Sequence, residues 1–378
     1  MEGADNIVAA LEHHDRICQI TLRNPPRSLL QMFTELMQES FPALTELEIG
    51  SEDQSTTLPL DLFSGAPHLR SICFQGIQFP ALSKVLLSSH NLVNLHLLMI
   101  PDSGFISPKE MASCLSSLNS LEDFRIGFQT SEPFFAHEET RPPSLSRVDL
   151  PCLIHLIFRG HGDYLEDFVT RINTPLLRVF EMELDNIYLD DSALPKFINR
   201  IENFQVFDQA KMIFHTESVS VTFSQQRGGV EHTILKLEIG AEEPGDRFWY
   251  LDQALSPNSL PFSTPECLEV SVDPGCPLDD QDGYQSTHWL DLLGRFTAVK
   301  ELRVCGEIAL LIAPTLLEHH TEEAPELFPA LQSLFIEEVF IEEIQALGRM
   351  RKAKMLTLFL AARDLASCPV DVHGWNRE

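Results

Sequence analysis

Three short runs of polar residues have the side-chain types that metal binding or catalysis requires. Two of them combine adjacent histidines with acids, at His13-His14-Asp15 and at Glu318-His319-His320, and Glu322 and Glu323 follow the second run. The third is the turn-like sequence Gly160-His161-Gly162-Asp163. Imidazole and carboxylate groups can hold zinc or transfer protons, so each run is a candidate site.

None of the three runs has the spacing that this chemistry needs. Adjacent histidines on a helix point about 100° apart, so they rarely share one metal ion. The turn at 160–163 falls where a predicted strand passes into a helix, and glycine there serves turn geometry. The chain has no phosphate-binding loop, dinucleotide fingerprint, G-x-S-x-G turn or H-E-x-x-H helix. We therefore predict that the protein is not an enzyme and has no catalytic residues, cofactor or metal.

An acidic run at 318–343 has two interpretations. It contains eight glutamates and no lysine or arginine. Its glutamates are interleaved with apolar residues, which is typical of the solvated rim around a buried strand. The alternative is an acidic docking patch for a basic degron or tail, and such binding would weaken with added salt.

The overall charge limits the classes of partner. The 378 residues carry a formal charge of −29, from 56 acidic and 27 basic side chains. Such a field repels phosphate backbones and anionic lipid headgroups, so we predict neither nucleic-acid binding nor membrane binding. A protein partner fits this charge. The acidic excess has two interpretations, a preference for a basic partner and the solubility of a long surface.

The cysteines and the apolar runs indicate a reducing compartment. The eight cysteines are scattered without a C-x-x-C pair, and Cys18, Cys73 and Cys305 fall in predicted strands. There is no N-x-[ST] sequon, and 1–11 has no apolar run typical of a signal peptide. The longest apolar stretch, 308–317, is shorter than the roughly 18–20 residues that span a bilayer. We expect a cytoplasmic and/or nuclear protein.

One repeated phrase predicts the elements that position all these residues. PALTELEI at 42–49 returns as PHLRSICF at 67–74, PLLRVFEM at 175–182 and PALQSLFI at 329–336. A pattern L-x-x-L-x-L at intervals of about 20–30 residues is typical of a leucine-rich-repeat solenoid. The first apolar positions of the repeats are Ile17, Leu44, Leu69, Leu92, Leu121, Leu153, Leu177, Phe204, Ile234, Cys267, Val299, Leu331 and Ala353.

Between the strands lie segments of helical period. They are predicted at 26–39, 162–173, 286–296 and 342–351, and one begins at Ser107-Pro108-Lys109-Glu110, a capping-box sequence. Strand followed by helix, repeated, predicts an α/β solenoid with parallel strands on its concave face and helices on its convex face.

The centre of the chain departs from this pattern. Three strands close together, at 212–214, 218–223 and 233–239, have no helix between them, and 225–229 is rich in turn residues. We predict a local antiparallel hairpin there, and exposed insertions at 131–143 and 272–284. The whole chain, 1–378, is interpreted as one domain: regular repeats at 17–210, an irregular strand-rich region at 211–285, C-terminal repeats at 286–360 and a tail at 361–378.

The strand geometry also predicts a binding surface. Because side chains alternate along a strand, every second residue of each repeat points away from the core. A solenoid uses its concave sheet for recognition. The candidate protein-binding residues are Gln19, Glu46, Glu48, Ser71, Asn94, His96, Asp123, Arg125, His155, Glu181, Glu301, Arg303, Ser333 and Phe335.

Several phrases along the chain carry a family resemblance. They are APHLRS at 66–71, FPAL at 79–82, SPKEM at 107–111, YLEDFV at 164–169, FTAVK at 296–300, IAPTL at 312–316 and VHGW at 372–375. In this order they resemble the leucine-rich-repeat region of the F-box-like proteins of mushroom-forming fungi. The resemblance implies a protein-binding arm that selects substrates for an SCF-type ubiquitin ligase.

The F-box of that family is not visible in the sequence. Repeats begin near Ile17, and LPLDLF at 58–63 lies within the repeat register. We expect a Skp-type adaptor to bind only if an F-box precedes these residues. The alternative function is a free-standing interaction scaffold or sensor unconnected to ubiquitylation.

Overall fold

The computed structural model describes residues 13–26, 28–30, 41–53, 66–78, 90–129, 147–185, 193–240, 250–251, 263–273, 286–305, 308, 312, 327–337 and 371–375. The chain forms two compact units. Unit 1 comprises 1–185 and 190–201, and unit 2 comprises 186–189 and 202–378. The prediction of a single domain stays a prediction.

Unit 1 contains one parallel sheet of seven strands. Its strands pair in the order β1-β2-β3-β4-β5-β7-β9, and β6 and β8 form a separate parallel pair. The bounds are β1 Gln19–Arg23, β2 Glu46–Gly50, β3 Ser71–Gln75, β4 Asn94–Ile100, β5 Asp123–Phe128, β6 Val148–Asp149, β7 His155–Gly160, β8 Ile172–Asn173 and β9 Val179–Leu184.

These strands are in register, as the repeated phrase predicts. Each of the seven begins two residues after its first apolar position, so that Glu46 follows Leu44 and Asp123 follows Leu121. The first residue of each strand pairs with the first residue of the next, as Glu46 does with Ser71. Equivalent positions of successive repeats therefore form straight rows across the sheet.

Apolar residues of each phrase fill the core of unit 1. In β2, Leu47 and Ile49 are buried, while Glu46 is exposed and Glu48 is half-buried. Leu44, before the strand, is buried as well. Full burial of such a side chain contributes about 1.5–3 kcal/mol, and the pattern recurs in every strand of the sheet. The alternation thus fixes which face each side chain takes.

Three helices pack in sequence against one another in unit 1: α1 Pro108–Leu115, α2 Gly162–Arg171 and α3 Ala193–Ile198. The predicted capping box is confirmed, since Ser107 Oγ accepts from the Glu110 amide at 3.3 Å and the Ser107 amide donates to Glu110 Oε2 at 3.2 Å. Helix α2 ends two residues before the predicted 173, because the next two residues pair with β6 as β8. Of the helix predicted at 26–39, residues 28–30 are helical and 27 and 31–39 lie outside the described residues.

Unit 2 combines a parallel sheet with an antiparallel hairpin. Its strands pair in the order β12-β11-β10-β13-β14-β15-β16, and β11 is antiparallel to both β10 and β12. The bounds are β10 Gln209–Phe214, β11 Ser218–Arg227, β12 Val230–Gly240, β13 Cys267–Val272, β14 Glu301–Val304, β15 Ser333–Glu337 and β16 Asp371–Trp375, with helix α4 at Ser286–Leu293. The predicted hairpin is confirmed, and Gly228 and Gly229, at φ of 63° and 82°, form its turn.

The repeat register differs from the prediction at three of the weaker matches. Ile234 lies within β12 and not before a strand of the repeat. The apolar position before β10 is Phe207, not Phe204, which lies in a single 3-10 turn. Cys267 is the first residue of β13 and not the apolar position before it. The differences at Ile234 and Cys267 follow from the hairpin, because β10 pairs with β13 directly and the inserted strands β11 and β12 interrupt the spacing. Phe204 precedes the hairpin, so the hairpin does not explain its shift.

Other predicted boundaries also move. Cys18 precedes β1 and Cys305 follows β14, whereas Cys73 lies within β3 as expected. Val272 ends β13 and is not part of the insertion predicted at 272–284. Strand β16 lies within the segment interpreted as a tail.

Five predicted features lie wholly or mostly outside the described residues: the insertion at 131–143, the insertion at 272–284, the helix at 342–351, Ala353, and the acidic run at 318–343.

Each unit therefore has the predicted α/β leucine-rich-repeat arrangement, with parallel, in-register strands joined by connections that include helices. Among the described residues, no helix has the length and apolarity needed to cross a membrane.

Candidate functional site

The structure places all fourteen candidate residues on the exposed sides of their strands. None of them is buried, whereas the residues between them are. Ten belong to unit 1, and these ten define what we call the unit 1 open face: Gln19, Glu46, Glu48, Ser71, Asn94, His96, Asp123, Arg125, His155 and Glu181. The other four, Glu301, Arg303, Ser333 and Phe335, lie in unit 2. That any of them binds a partner stays a prediction.

The unit 1 open face consists of two rows. The first row runs through the first residue of each strand, from Gln19 in β1 to His155 in β7. The second runs two residues further along each strand, from Glu48 to Glu181. Neighbouring strands lie about 4.8 Å apart, so the five steps from β2 to β9 span roughly 24 Å.

Asp123 is the centre of a cluster of polar contacts on this face. Its Oδ1 accepts from His96 Nε2 at 3.2 Å and from Arg125 Nε at 3.0 Å, and its Oδ2 accepts from an Arg125 terminal nitrogen at 2.8 Å. His155 Nδ1 lies 3.7 Å from Oδ2. Because an ionised carboxylate can only accept, the His96 contact requires the proton on Nε2.

This environment holds Asp123 in its ionised form. Burial alone would raise the pKa of its carboxyl group, but the hydrogen bonds and positive charge of His96 and Arg125 outweigh burial and hold that pKa well below its ordinary value. The same hydrogen bond is the main cause of a raised pKa of Arg125, and the nearby Glu181 adds to it. Asp123 is thus a fixed negative charge and not a proton donor or acceptor near neutral pH.

Acidic side chains flank this cluster on both sides. The side chain of Glu46 is exposed in β2 and makes no hydrogen bond or ion pair with the described residues. Glu48 pairs with Arg23, whose Nε lies 2.9 Å from its Oε1, and this hydrogen bond is the main cause of a raised pKa of Arg23. Glu181 lies on the far side, in β9. The face is therefore neutralised at its centre and acidic at its margins.

Sequence reasoning missed several residues that share these rows. Thr21, Cys73 and Ile157 lie in the second row. Arg159 and Glu183 lie two residues beyond this row along β7 and β9, and they form an ion pair of 3.1 Å. Each lies an even number of residues from the predicted positions of its strand, so its side chain is on the same side of the sheet. The alternation of two along each strand was the signal that could have identified them.

Cys73 is paired with His96 across β3 and β4, and His96 is hydrogen-bonded to Asp123. A cysteine, a histidine and an acid in this order are typical of a cysteine nucleophile with its base and an orienting acid. Burial, and secondarily the charge of Glu48, raises the pKa of the Cys73 thiol. No hydrogen bond joins Cys73 to His96. A thiol with a raised pKa is a poor nucleophile, so this geometry does not support thiol catalysis.

The candidate residues of unit 2 form a smaller group. The guanidinium carbon of Arg303 lies 5.4 Å from the centroid of the Phe335 ring, a cation–π distance, and a terminal nitrogen of Arg303 is 3.2 Å from Glu301 Oε2. Lys211, Glu269, Arg303 and Phe335 are paired in this order across β10, β13, β14 and β15, and Lys211 Nζ lies 2.7 Å from Glu269 Oε1. Burial raises the pKa of the neighbouring Cys267 to about 11.

The polar runs that first suggested chemistry have structural explanations where they are described. His13-His14-Asp15 lies in a turn. Gly160 adopts a φ of 145°, and His161 is the N-cap of α2, its Nδ1 accepting from the Asp163 amide at 3.4 Å. Residues 318–323 lie outside the described part. Within that part, no group of three or more His, Cys, Asp or Glu side chains is placed to hold a metal ion.

Comparisons with known proteins give similarities of fold only. The chain is similar to the crystal structure of the leucine-rich repeat-containing protein LegL7 from Legionella pneumophila, at 14% identity and a TM-score of 0.35, covering 89% of this chain and 97% of that one. It is also similar to the crystal structure of a TLR13–ssRNA13 complex, at 13% identity and a TM-score of 0.34, covering 78% of this chain and 36% of that one. No protein-family model matches the chain. No curated protein matches it. The fold class stated above rests on strand pairing and register.

Proposed function

We propose that the protein is a non-catalytic recognition module that binds another protein through the unit 1 open face. The observation that carries this proposal is the pair of in-register polar rows that crosses β1 to β9. A rigid sheet over a close-packed core presents these side chains with little entropy to lose on binding. Asp123 is committed to His96 and Arg125, which suits recognition better than proton transfer.

The charges of the face specify the partner that would fit it. Glu46 and Glu181 lie roughly 24 Å apart on either side of the neutralised centre. A partner with basic groups at about that separation would meet both margins and bring polar groups to Asp123 and Arg125. Charge complementarity of this kind raises association rates and selects partners more than it adds affinity.

A phage-displayed library of random peptides tests the proposal. Peptides are selected on the whole chain, and their affinity is then measured for the wild type and for the double variant Glu46→Lys/Glu181→Lys. A matched control, Glu202→Lys/Glu217→Lys, makes the same change of net charge at exposed positions of unit 2. We expect the selected peptides to be basic, to lose at least about tenfold in affinity for the first variant, and to keep it for the second. Equal effects of the two variants, or no enrichment of peptides, would overturn the proposal.

We further propose, on the resemblance of its repeats, that this module selects substrates for an SCF-type ubiquitin ligase. The test uses the natural gene product with whatever sequence precedes residue 1, and purified Skp-type adaptor. Adaptor binding by that product, and none by residues 1–378 alone, is the expected outcome. If the natural product does not bind the adaptor, the free-standing scaffold or sensor is the better assignment.

We also propose a cytoplasmic or nuclear location. The six described cysteines, Cys18, Cys73, Cys114, Cys152, Cys267 and Cys305, are free thiols, which suits a reducing compartment. A fluorescent fusion imaged in living cells tests the location, and secretion of the fusion would contradict it.

A further inference from the structure

A cavity of about 330 Å³ opens in unit 1 where strands β1 to β4 end. It borders the unit 1 open face, because Glu48 belongs to both. The side chains that determine its chemistry are Arg23, Asn24, Glu48, Glu52, Gln75 and Met99.

The backbone around the cavity is already satisfied. Asn24, Gly76 and Met99 adopt left-handed conformations, at φ of 48°, 66° and 51°, and turn the chain where the strands end. The amides of Asn24, Ser51 and Gly76 donate to carbonyls at the end of the next strand at 2.8, 2.9 and 2.9 Å. These three amides are therefore not available to a ligand.

Two of those side chains have an acceptor to spare. Glu48 uses Oε1 to accept from Arg23 Nε at 2.9 Å, and Glu52 uses Oε1 to accept from Asn24 Nδ2 at 2.7 Å. Neither Oε2 has a hydrogen-bond partner among the described residues. The side chain of Arg23 is 77% exposed, so its pairing with Glu48 is weak and easily exchanged.

The remaining wall is apolar or neutral. Gln75 Nε2 lies 3.2 Å from Met99 Sδ, and Met99 is an exposed thioether, 44% accessible. Thioethers adapt to the shape of a neighbouring group and pack well against alkyl chains. The cavity thus offers two carboxylate oxygens together with a surface for an aliphatic stem.

We propose that this cavity binds an arginine side chain of the protein that docks on the unit 1 open face. This inference rests on the proposed function and specifies one side chain of the partner. The planar guanidinium group has five donors and can bond two carboxylates at once, which a lysine ammonium does less well. Its methylene stem would pack on Met99 and Gln75. An anionic ligand is disfavoured because the cavity has two carboxylates and a single guanidinium.

Methyl NMR of the whole chain labelled on its methionine methyl groups reads this site directly. The Met99 signal is assigned with Met99→Leu, and the probe is N-acetyl-arginine methylamide, titrated to millimolar concentrations. N-acetyl-citrulline methylamide, which has nearly the same shape without the charge, is the matched control ligand. We expect a saturable shift of the Met99 signal with the arginine probe and none with the citrulline probe.

Two variants separate the cavity from general electrostatics. Glu52→Gln should weaken arginine binding at least about tenfold, because it removes a charge-assisted hydrogen bond. Glu122→Gln removes an exposed acid of unit 1 that lies outside both the cavity and the unit 1 open face, so it should leave binding unchanged. Equal shifts with citrulline, equal effects of the two variants, or no saturable shift would overturn the inference. The peptide selection on the sheet does not depend on this small probe, so the inference can fail while the proposed function stands.

Discussion

His96 and Asp123 are joined across neighbouring strands of unit 1, His96 Nε2 lying 3.2 Å from Asp123 Oδ1. Their Cα atoms are not directly paired, since His96 is opposite Arg125 and Asp123 is opposite Asn94. The contact is therefore a diagonal one between the two rows. It ties the first row to the second at the middle of the open face.

Replacing Asp123 with asparagine should lower stability and change its dependence on pH. Only 14% of this side chain is exposed, and the variant loses charge-assisted bonds to His96 and Arg125. We expect a loss of about 1–2 kcal/mol at neutral pH, kept modest because Arg125 is partly solvated. The measurement is urea denaturation of Asp123→Asn and wild type at several pH values.

The sign of the pH effect follows from the lowered pKa of Asp123. The carboxylate contributes its full stability above the ordinary aspartate pKa of about 3.9 and loses it as the pH falls toward the lower pKa of the folded state. The difference between wild type and variant should therefore be largest above about pH 5 and shrink below about pH 4. Asp15→Asn, at an exposed site whose ion pair is 3.9 Å long, should change little at any pH. A constant difference across this range would contradict the prediction.

Gly76 and Gly50 provide a second, matched test of local geometry. Gly76 has a φ of 66°, and a Cβ there would lie 2.1 Å from the Ser51 carbonyl oxygen. Gly76→Ala should cost at least about 2 kcal/mol, because backbone must shift in addition to the left-handed strain. At Gly50 the nearest atom to a new Cβ is Gln75 Cβ at 3.7 Å, so Gly50→Ala should be neutral or stabilise by about 0.5 kcal/mol. Thermal unfolding of both variants decides, and equal destabilisation would show that the turn is not tight.

Glu166 of α2 caps the next helix, α3, and this contact gives a third prediction. Its Oε2 accepts hydrogen bonds from the backbone amides of Ala193 and Leu194, the latter at 3.1 Å. Loss of a helix-capping acceptor costs about 1 kcal/mol, which is the destabilisation expected for Glu166→Ala. Glu166→Gln keeps an acceptor oxygen and should lose less than half of that. Chemical denaturation measures both, and equal losses would indicate that the side chain acts through its charge and not as a cap.

The sequence predicted the rows of the sheet because the information is local. Leu47 and Ile49 alternate with Glu46 and Glu48, and the same phrase sets the start of each strand in unit 1. Once the first residues of the strands are aligned, the neighbours of Asp123 in each row follow from counting residues along the adjacent strands. The prediction failed at Ile234 and Cys267, where β11 and β12 interrupt the count, and at Phe204, which lies in a 3-10 turn before them.

The side-chain contacts could not be predicted in the same way. That Glu166 reaches Ala193 depends on how α2 and α3 pack, which no spacing within either helix encodes. The cavity depends on left-handed backbone at Asn24 and Met99. Asparagine adopts that conformation readily, but methionine does not, so its position there is set by tertiary context.

Arg303 and Phe335 give a fourth prediction, on the face of unit 2. The guanidinium carbon lies 5.4 Å from the ring centroid, and the two residues are directly paired across β14 and β15. Arg303 also contacts Glu301 at 3.2 Å, so a single substitution would mix two interactions. A double-mutant cycle of Arg303→Gln and Phe335→Leu isolates the pair, and we expect a coupling energy of about 0.5–1 kcal/mol at this partly exposed site.

The control for this cycle replaces Phe335→Leu with Ser333→Ala, a neighbour in the same strand that carries no ring. Its coupling to Arg303→Gln should be near zero. If instead both cycles give the same value, Arg303 acts through its charge on the whole strand and not through the ring. A ring held by Arg303 would also be pre-ordered for contact with a partner, since little side-chain entropy would remain to be lost. Phe335 would then be the residue of unit 2 whose truncation most weakens any binding that this face supports.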